Sequence, residues 1–396
     1  MVIEKWKYDE LGNHATLYVP MRDKPKKFDG DIPWLRIEDL DGKYVSDSKS
    51  NQYVSNEIIK KMNLVIFPVN TVLCSCSATI GVCAITTTKL ITNQTFIGIH
   101  PNSEIDSQFL YYYLQSQTVN LIKIGSGSTI LYISRETFEK FKIPILDLNE
   151  QKNIVNTLSE IDTLIDSLES LIQKKKNIKQ GTMQELLTGK RRLEGFSGEW
   201  EILELGKLGL LKSGNGFPEK YQGRKEGEIP FYKVSDLNNL GNEVFMKNSN
   251  NYISKEIQHK LKTYIFPTNS IVFAKIGAAI FLERKRILTQ KSCLDNNLMG
   301  IVVNTDKINL KFLYYVLLNI SLGKLVEMTA LPSISTNNIE KLTINFPFEY
   351  IEQEAISKIL SDMDSEIEQL ESQKEKYINL KQAMMQKLLT GEIRLV

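Results

Sequence analysis

Two stretches of the chain share one spacing of apolar positions. Ile154, Leu158, Ile161, Ile165, Leu168 and Ile172 alternate steps of four and three residues, and so do Ile356, Leu360, Met363, Ile367 and Leu370, continuing through Tyr377, Met384 and Leu388. That is the a/d seam of a coiled coil, so each stretch is predicted to be one helix of roughly 38 residues, about 57 Å long at 1.5 Å per residue. Both end in Thr-Gly, at Thr188-Gly189 and Thr390-Gly391, where glycine takes the left-handed conformation that stops a helix. Lys190, Arg191 and Arg192 follow, beside the negative end of the helix dipole.

Away from these seams the pattern is different. Short β-like runs (Leu64 to Phe67, Ile97 to His100, Ser270 to Ala274, Met299 to Val303) alternate with loops rich in Gly, Asn and Ser, and one clear helix stands in each half, Gln108 to Gln117 and Leu310 to Leu318. Tyr111-Tyr112-Tyr113 and Tyr314-Tyr315 fall inside those helices at matching places, which favours core packing over base stacking.

The two halves are copies. Met183-Gln-Glu-Leu-Leu-Thr-Gly189 recurs as Met385-Gln-Lys-Leu-Leu-Thr-Gly391, and Glu150-Gln151-x-x-Ile154 recurs as Glu352-Gln353-x-x-Ile356 at the same offset. Further upstream, Ile32-Pro33 through Asp39-Leu40 resembles Ile229-Pro230 through Asp236-Leu237, and Phe67-Pro68 has its counterpart in Phe266-Pro267. Between such anchors the halves diverge, as Leu73 to Ile80 against Val272 to Ile280 shows. Two equivalent helices that each close a repeat bury each other in antiparallel fashion. The expected architecture is therefore α+β: two mixed α/β domains in a pseudo-two-fold arrangement, joined by two long antiparallel helices forming an intramolecular coiled coil. The boundaries are residues 1–147 and 196–347 for the globular domains, and 148–195 and 348–396 for the helical regions.

Composition narrows the function mainly by exclusion. A formal net charge of +2 neither demands nor excludes a nucleic-acid partner. No apolar run is long enough for a membrane span and Met1 to Glu10 lacks a signal-peptide pattern, so a cytoplasmic location is expected. Cys74, Cys76, Cys83 and Cys293 have neither CxxC spacing nor a nearby histidine, and they read as buried apolar residues with no metal site. Gly189-Lys190-Arg191 is not a P-loop, because the earlier glycine and the following Ser/Thr are absent. No amino-methyltransferase tetrapeptide, cofactor loop or nuclease cluster is found, and His14, His100 and His259 have no partner arrangement repeated in both halves. Glu150 and Glu352 read as first-turn residues favoured by the helix dipole rather than as an acid pair.

The paired Glu-Gln-x-x-Ile helix entries and the paired Met-Gln-x-Leu-Leu-Thr-Gly exits resemble those of the specificity subunits of type I restriction-modification enzymes, across essentially the whole chain. The resemblance implies a non-catalytic subunit whose two target-recognition domains each read one half of a bipartite, asymmetric site in double-stranded DNA. The helices would set the unread spacer and dock two methyltransferase subunits, with two restriction subunits in the full complex. No cofactor is expected in this chain; S-adenosylmethionine, ATP and Mg would belong to the partners. A coiled-coil scaffold that binds proteins instead of DNA is the alternative. Loop position suggests as DNA contacts Arg22, Lys24, Lys26, Lys27, Ser128 and Thr129 in the first half, and Lys212, Arg224, Lys275, Arg284, Arg286, Ser333 and Asn337 in the second. Gly125-Ser-Gly-Ser-Thr129 is further suggested as a phosphate-gripping loop. In the first domain Cys74-Ser-Cys76 lacks the Lys-x-Gly pattern of Lys275-Ile-Gly277, so equivalent base contacts in the two domains are not assumed.

Overall fold

The computed structural model describes residues 6–20, 23–127, 131–326 and 332–395. The chain folds into two compact units, Met1–Ser170 with Ser372–Val396, and Leu171–Glu371.

The first unit carries strands β1 (Lys7–Glu10), β2 (Ala15–Tyr18), β3 (Ile32–Leu35), β4 (Tyr44–Val45), β5 (Tyr53–Val54), β6 (Val72–Ser75), β7 (Cys83–Thr86), β8 (Ile91–Thr92), β9 (Phe96–Pro101) and β10 (Lys142–Ile145). They form a five-stranded sheet in the order β2-β9-β6-β7-β4, a three-stranded sheet β5-β3-β8 and the pair β1-β10. Strand β9 lies antiparallel between β2 and β6, so these two run the same way and end at the same end of the sheet. Helix Ser107–Ser116 covers one face. Its Phe109 to Leu114 are all buried and share a core with Leu17, Val72, Cys74, Ile97 and Ile99.

The second unit repeats this plan. Strands β11 (Trp200–Glu204), β12 (Gly209–Ser213), β13 (Ile229–Tyr232), β14 (Phe245–Met246), β15 (Tyr252–Ile253), β16 (Ile271–Ala274), β17 (Lys285–Leu288), β18 (Cys293–Leu294), β19 (Leu298–Val303) and β20 (Thr343–Pro347) pair in the orders β12-β19-β16-β17-β14, β15-β13-β18 and β11-β20. Helix Leu310–Asn319 takes the covering role, and Phe312 to Leu317 are buried.

One expected strand is absent. Leu64 to Phe67 contributes only the isolated bridge of Phe67 to Leu90. Leu64 packs instead with Trp34, Val54, Ile59 and Ile91 in a small separate core, and Phe67 packs with Leu35 and Leu73 in another. Apolar side chains filling two cores need a bent backbone rather than a ladder.

The long helices are Leu148–Leu186 and Tyr350–Leu388, 39 residues each. Within the first unit Lys381 pairs with Asp162 at 2.5 Å and Lys374 with Glu169. Within the second, Lys175 pairs with Glu366 and Lys176 with Glu371, each at 2.6 Å, and Lys179 pairs with Asp364. In both units late residues of one helix meet early residues of the other, which is antiparallel packing. The leading seam residues also hold the domains: Ile154 and Leu158, and likewise Ile356 and Leu360, are buried in the main cores of their units together with residues of the covering helices. Leu168 and Ile367 are buried farther along, while Ile161, Ile165, Met363 and Leu370 are half-buried.

Each long helix ends in the turn that its Thr-Gly foretells. Gly189 and Gly391 take φ of +73° and +76°, and a six-residue closure follows, Arg191 N–H to the Glu185 carbonyl at 3.2 Å and Ile393 N–H to the Lys387 carbonyl at 3.1 Å. A Cβ at Gly391 would lie 3.0 Å from the Trp6 ring, against 3.4 Å from Trp200 for one at Gly189. Gly391→Ala is thus expected to cost more than Gly189→Ala, with the left-handed backbone contributing about 1–2 kcal/mol to each. Thermal melts of the two variants check this order.

Candidate nucleic-acid interface

The helix entries and exits identified in the sequence meet inside each unit. Glu150 is almost fully buried and receives both a Nε and a terminal N–H of Arg394, the latter at 2.7 Å. Glu352 receives the Arg192 guanidinium through two bonds of 2.7 Å. The arginines also stack on tryptophans, Arg394 on Trp6 and Arg192 on Trp200, each 5.7 Å from the ring centroid. The glutamates are therefore bidentate ion-pair partners, beyond the first-turn dipole role expected of them, because the helix exit delivers an arginine to them.

The neighbouring glutamines lock the domains. Gln151 accepts from Asp106 N–H at 2.8 Å and donates to the Glu104 and Leu146 carbonyls. Gln353 accepts from Asn309 N–H at 2.7 Å and donates to the Pro347 carbonyl. Asp106 and Asn309 are the N-caps of the two covering helices. A second tie joins those helices to the long ones: Tyr112 Oη donates to Asp162 at 2.6 Å, and Tyr315 Oη to Asp364 at 2.7 Å. Burial, with the neighbouring carboxylates assisting, raises both phenols above their usual pKa. The tyrosines expected to be core residues are so, with their hydroxyls satisfied.

With the scaffold fixed, the variable loops stand at one end of each large sheet. In the first unit the chain leaves β2 and crosses to β3 through a loop whose Lys24, Lys26 and Lys27 are exposed. In the second, the topologically equivalent connection from β12 to β13 exposes Lys220, Arg224 and Lys225. Sequence reading named Arg224 but not Lys220, whose signal is its place in the repeat. Gly214 opens this second loop where the backbone passes against β18, since a Cβ there would lie 2.0 Å from the Asp295 carbonyl oxygen. Beyond β3 and β13 each unit repeats one polar anchor. Asp39 accepts from Arg36 N–H at 2.6 Å and Lys49 N–H at 2.8 Å, and Asp236 accepts from Lys233 N–H and Asn250 N–H at the same two distances. Burial raises the Asp236 pKa, with those donors opposing it.

Beside the second basic loop, the ends of β12 and β16 bring Ser213, Lys275 and Ser333 together on one face, while Lys212 lies on the other. Lys275 Nζ donates to Ser213 Oγ at 2.8 Å, Lys212 Nζ stands 4.2 Å above the Tyr264 ring, and Ser333 bridges the residue after Lys275. Burial lowers the Lys275 pKa. Arg286, by contrast, is committed within the domain: its guanidinium donates to the carbonyls of Lys285 at 2.9 Å and Leu237 at 3.2 Å. Arg284 is half-buried beside β17, and Asn337 is exposed on helix Thr336–Glu340. Arg22 lies outside the described residues, as do Ser128 and Thr129, the end of the suggested Gly125–Thr129 loop, of which Ser126 forms a bridge with Tyr132.

The described residues contain no cluster of His, Cys, Asp or Glu fit for a metal ion, and all four cysteines are free and buried, with burial pushing Cys76 up to about 12 and Cys293 to about 11. No helix among them is long and apolar enough to cross a membrane. What the arrangement can do is present donors: basic loops for phosphates, and a set of partly sheltered polar side chains for base edges.

Comparison with known proteins points the same way. The model of the type I restriction modification DNA specificity domain matches twice, at residues 3–180 and 197–380. The MjaIX specificity subunit of a type I restriction enzyme from Methanocaldococcus jannaschii is 27% identical over 98% of this chain and 93% of its own length. The EcoprrI specificity subunit from Escherichia coli is 32% identical over 39% of each chain. Among solved structures, the type I restriction-modification S subunit from M. genitalium superposes with a TM-score of 0.56 at 16% identity, covering 97% of this chain and 96% of that one. A chain from a study of complex assembly and conformational transition of the type I system gives 0.60 at 13% identity over 98% of both.

Proposed function

Because this chain belongs to the type I restriction-modification DNA specificity family, we propose that it is the address-reading subunit of such an enzyme and carries no catalytic chemistry itself. Each sheet-bearing domain reads one half of a bipartite, asymmetric site in double-stranded DNA. The observation that carries this reading is the basic loop at the same place in both units, Lys24, Lys26 and Lys27 in one and Lys220, Arg224 and Lys225 in the other, beside strand ends whose side chains differ. A shared scaffold supports a common way of gripping the duplex, and unlike strand ends support unlike half-sites.

Helices of 39 residues, about 58 Å each, would fix the unread spacer. Their repeated faces would dock two methyltransferase subunits on quasi-equivalent surfaces, and two restriction subunits would complete the enzyme. S-adenosylmethionine, ATP and Mg are assigned to those partners. Incubated with DNA and S-adenosylmethionine, the purified chain is expected to transfer no methyl group, and to support adenine methylation once its methyltransferase partner is added. Methyl transfer by the chain alone would overturn the reading.

A further inference from the structure

Several sheltered lysines in the described residues sit beside a carboxylate: Lys179 by Asp364, Lys285 by Glu283, Lys381 by Asp162. Lys275 differs. Among the described residues its ammonium meets the neutral Ser213 hydroxyl and no acid, although it is partly withdrawn from water. An ammonium partly dehydrated without a counter-charge is held at some cost, and a ligand that supplies acceptors recovers it. Its backbone is fixed on both sides, Lys275 N–H to the Asn297 carbonyl at 2.9 Å and Ile334 N–H to the Lys275 carbonyl at 3.0 Å. Exposed lysines suffice to neutralise phosphates, and this domain has them in its basic loop; a sheltered, positioned lysine suits a single address.

We infer, resting on the specificity-subunit reading, that Lys275 reads guanine in the half-site addressed by the second unit. One N–H of the ammonium is spent on Ser213, and the two that remain match the O6 and N7 acceptors that guanine alone presents side by side in the major groove. Adenine offers N7 next to an amino donor, and cytosine offers an amino donor, so both set a donor against a donor. Lys212, one residue before Ser213 on β12, faces the other side of the sheet above Tyr264 and leaves the Lys275 ammonium to Ser213 alone.

The first unit makes the same backbone bonds with a different side chain. Cys76 N–H donates to the Thr95 carbonyl at 2.8 Å and its carbonyl accepts from Ile133 N–H at 2.9 Å, while Tyr18, opposite Gly98, stands where Lys212 stands opposite Gly300. With cysteine and tyrosine at these two places, the first half-site carries no guanine demand of this kind.

The test uses the full chain co-produced with its methyltransferase partner, with methylated adenines mapped across the host DNA. Lys275→Met keeps the alkyl stem and is expected to relax one G·C position in one half-site, with discrimination there falling about ten- to a hundredfold and the other half unchanged. Lys275→Arg, which offers guanine two donors, is expected to keep the original motif. Uniform weakening over all sequences would make Lys275 a phosphate contact, and an unchanged motif would leave it no role in reading; either overturns the inference. A wild-type complex that methylates no bipartite motif, with a partner shown to be active, would instead sink the specificity-subunit reading on which the inference stands.

Discussion

Replacing Arg394 by alanine is expected to destabilise the first unit by about 3 kcal/mol, because it strands the Glu150 carboxylate in a site that water barely reaches. The Glu150 side chain is 4% exposed and that of Arg394 22%, so the pair lies nearer the buried limit than the surface one, where such bonds contribute about 1 kcal/mol or less. The arginine also covers Trp6, whose packing is lost with it. Removing both charges together, as Glu150→Met with Arg394→Met, is expected to recover most of the loss, since an apolar pair of similar volume carries no stranded ion. Urea unfolding of the single and double variants decides the matter. A cost below about 1 kcal/mol for Arg394→Ala would place the clasp among ordinary surface ion pairs. The equivalent Arg192 and Glu352 in the second unit should behave alike.

DNA affinity of the chain is expected to fall steeply with salt, by about a thousandfold or more between 50 and 200 mM if six or more phosphates are neutralised. Each phosphate contact contributes about −0.9 to the slope of log K against log salt. The triple variant Lys24→Ala, Lys26→Ala, Lys27→Ala should therefore flatten the slope by up to about 2.7, and weaken all sequences alike. Fluorescence titrations at several salt concentrations supply the number. A chain whose DNA binding is absent, or indifferent to salt, would be a protein scaffold instead.

The duplication made much of this legible in the sequence. Heptad spacing located both long helices, Thr-Gly located their ends, and repeated Glu-Gln pairs located their beginnings. All of these are local patterns whose meaning depends on residues a few positions away. The partners of Glu150 and Glu352 were hidden because Arg394 and Arg192 lie far along the chain and are brought in only by antiparallel packing. Trp6 and Trp200 escaped for the same reason. Leu64 to Phe67 misled in the opposite direction: a run of apolar residues looks the same whether it feeds one sheet or two small cores. Within the candidate interface, chemistry alone ranked Arg286 with Lys275, and only tertiary structure separates a guanidinium committed to two carbonyls from an ammonium with donors to spare. Lys220 could have been found by asking which basic residues recur at the same point of the repeat.

The central claim is that two unlike readers sit on one duplicated scaffold, each answering for half of an asymmetric site. Exchanging residues 1–147 for the matching domain of another family member, co-producing the chimera with its active methyltransferase partner and mapping the methylated adenines tests it most directly. The expected result is a bipartite motif in which one half changes while the other half and the spacer stay as they were. Changes in both halves together, or an unchanged motif, would contradict it.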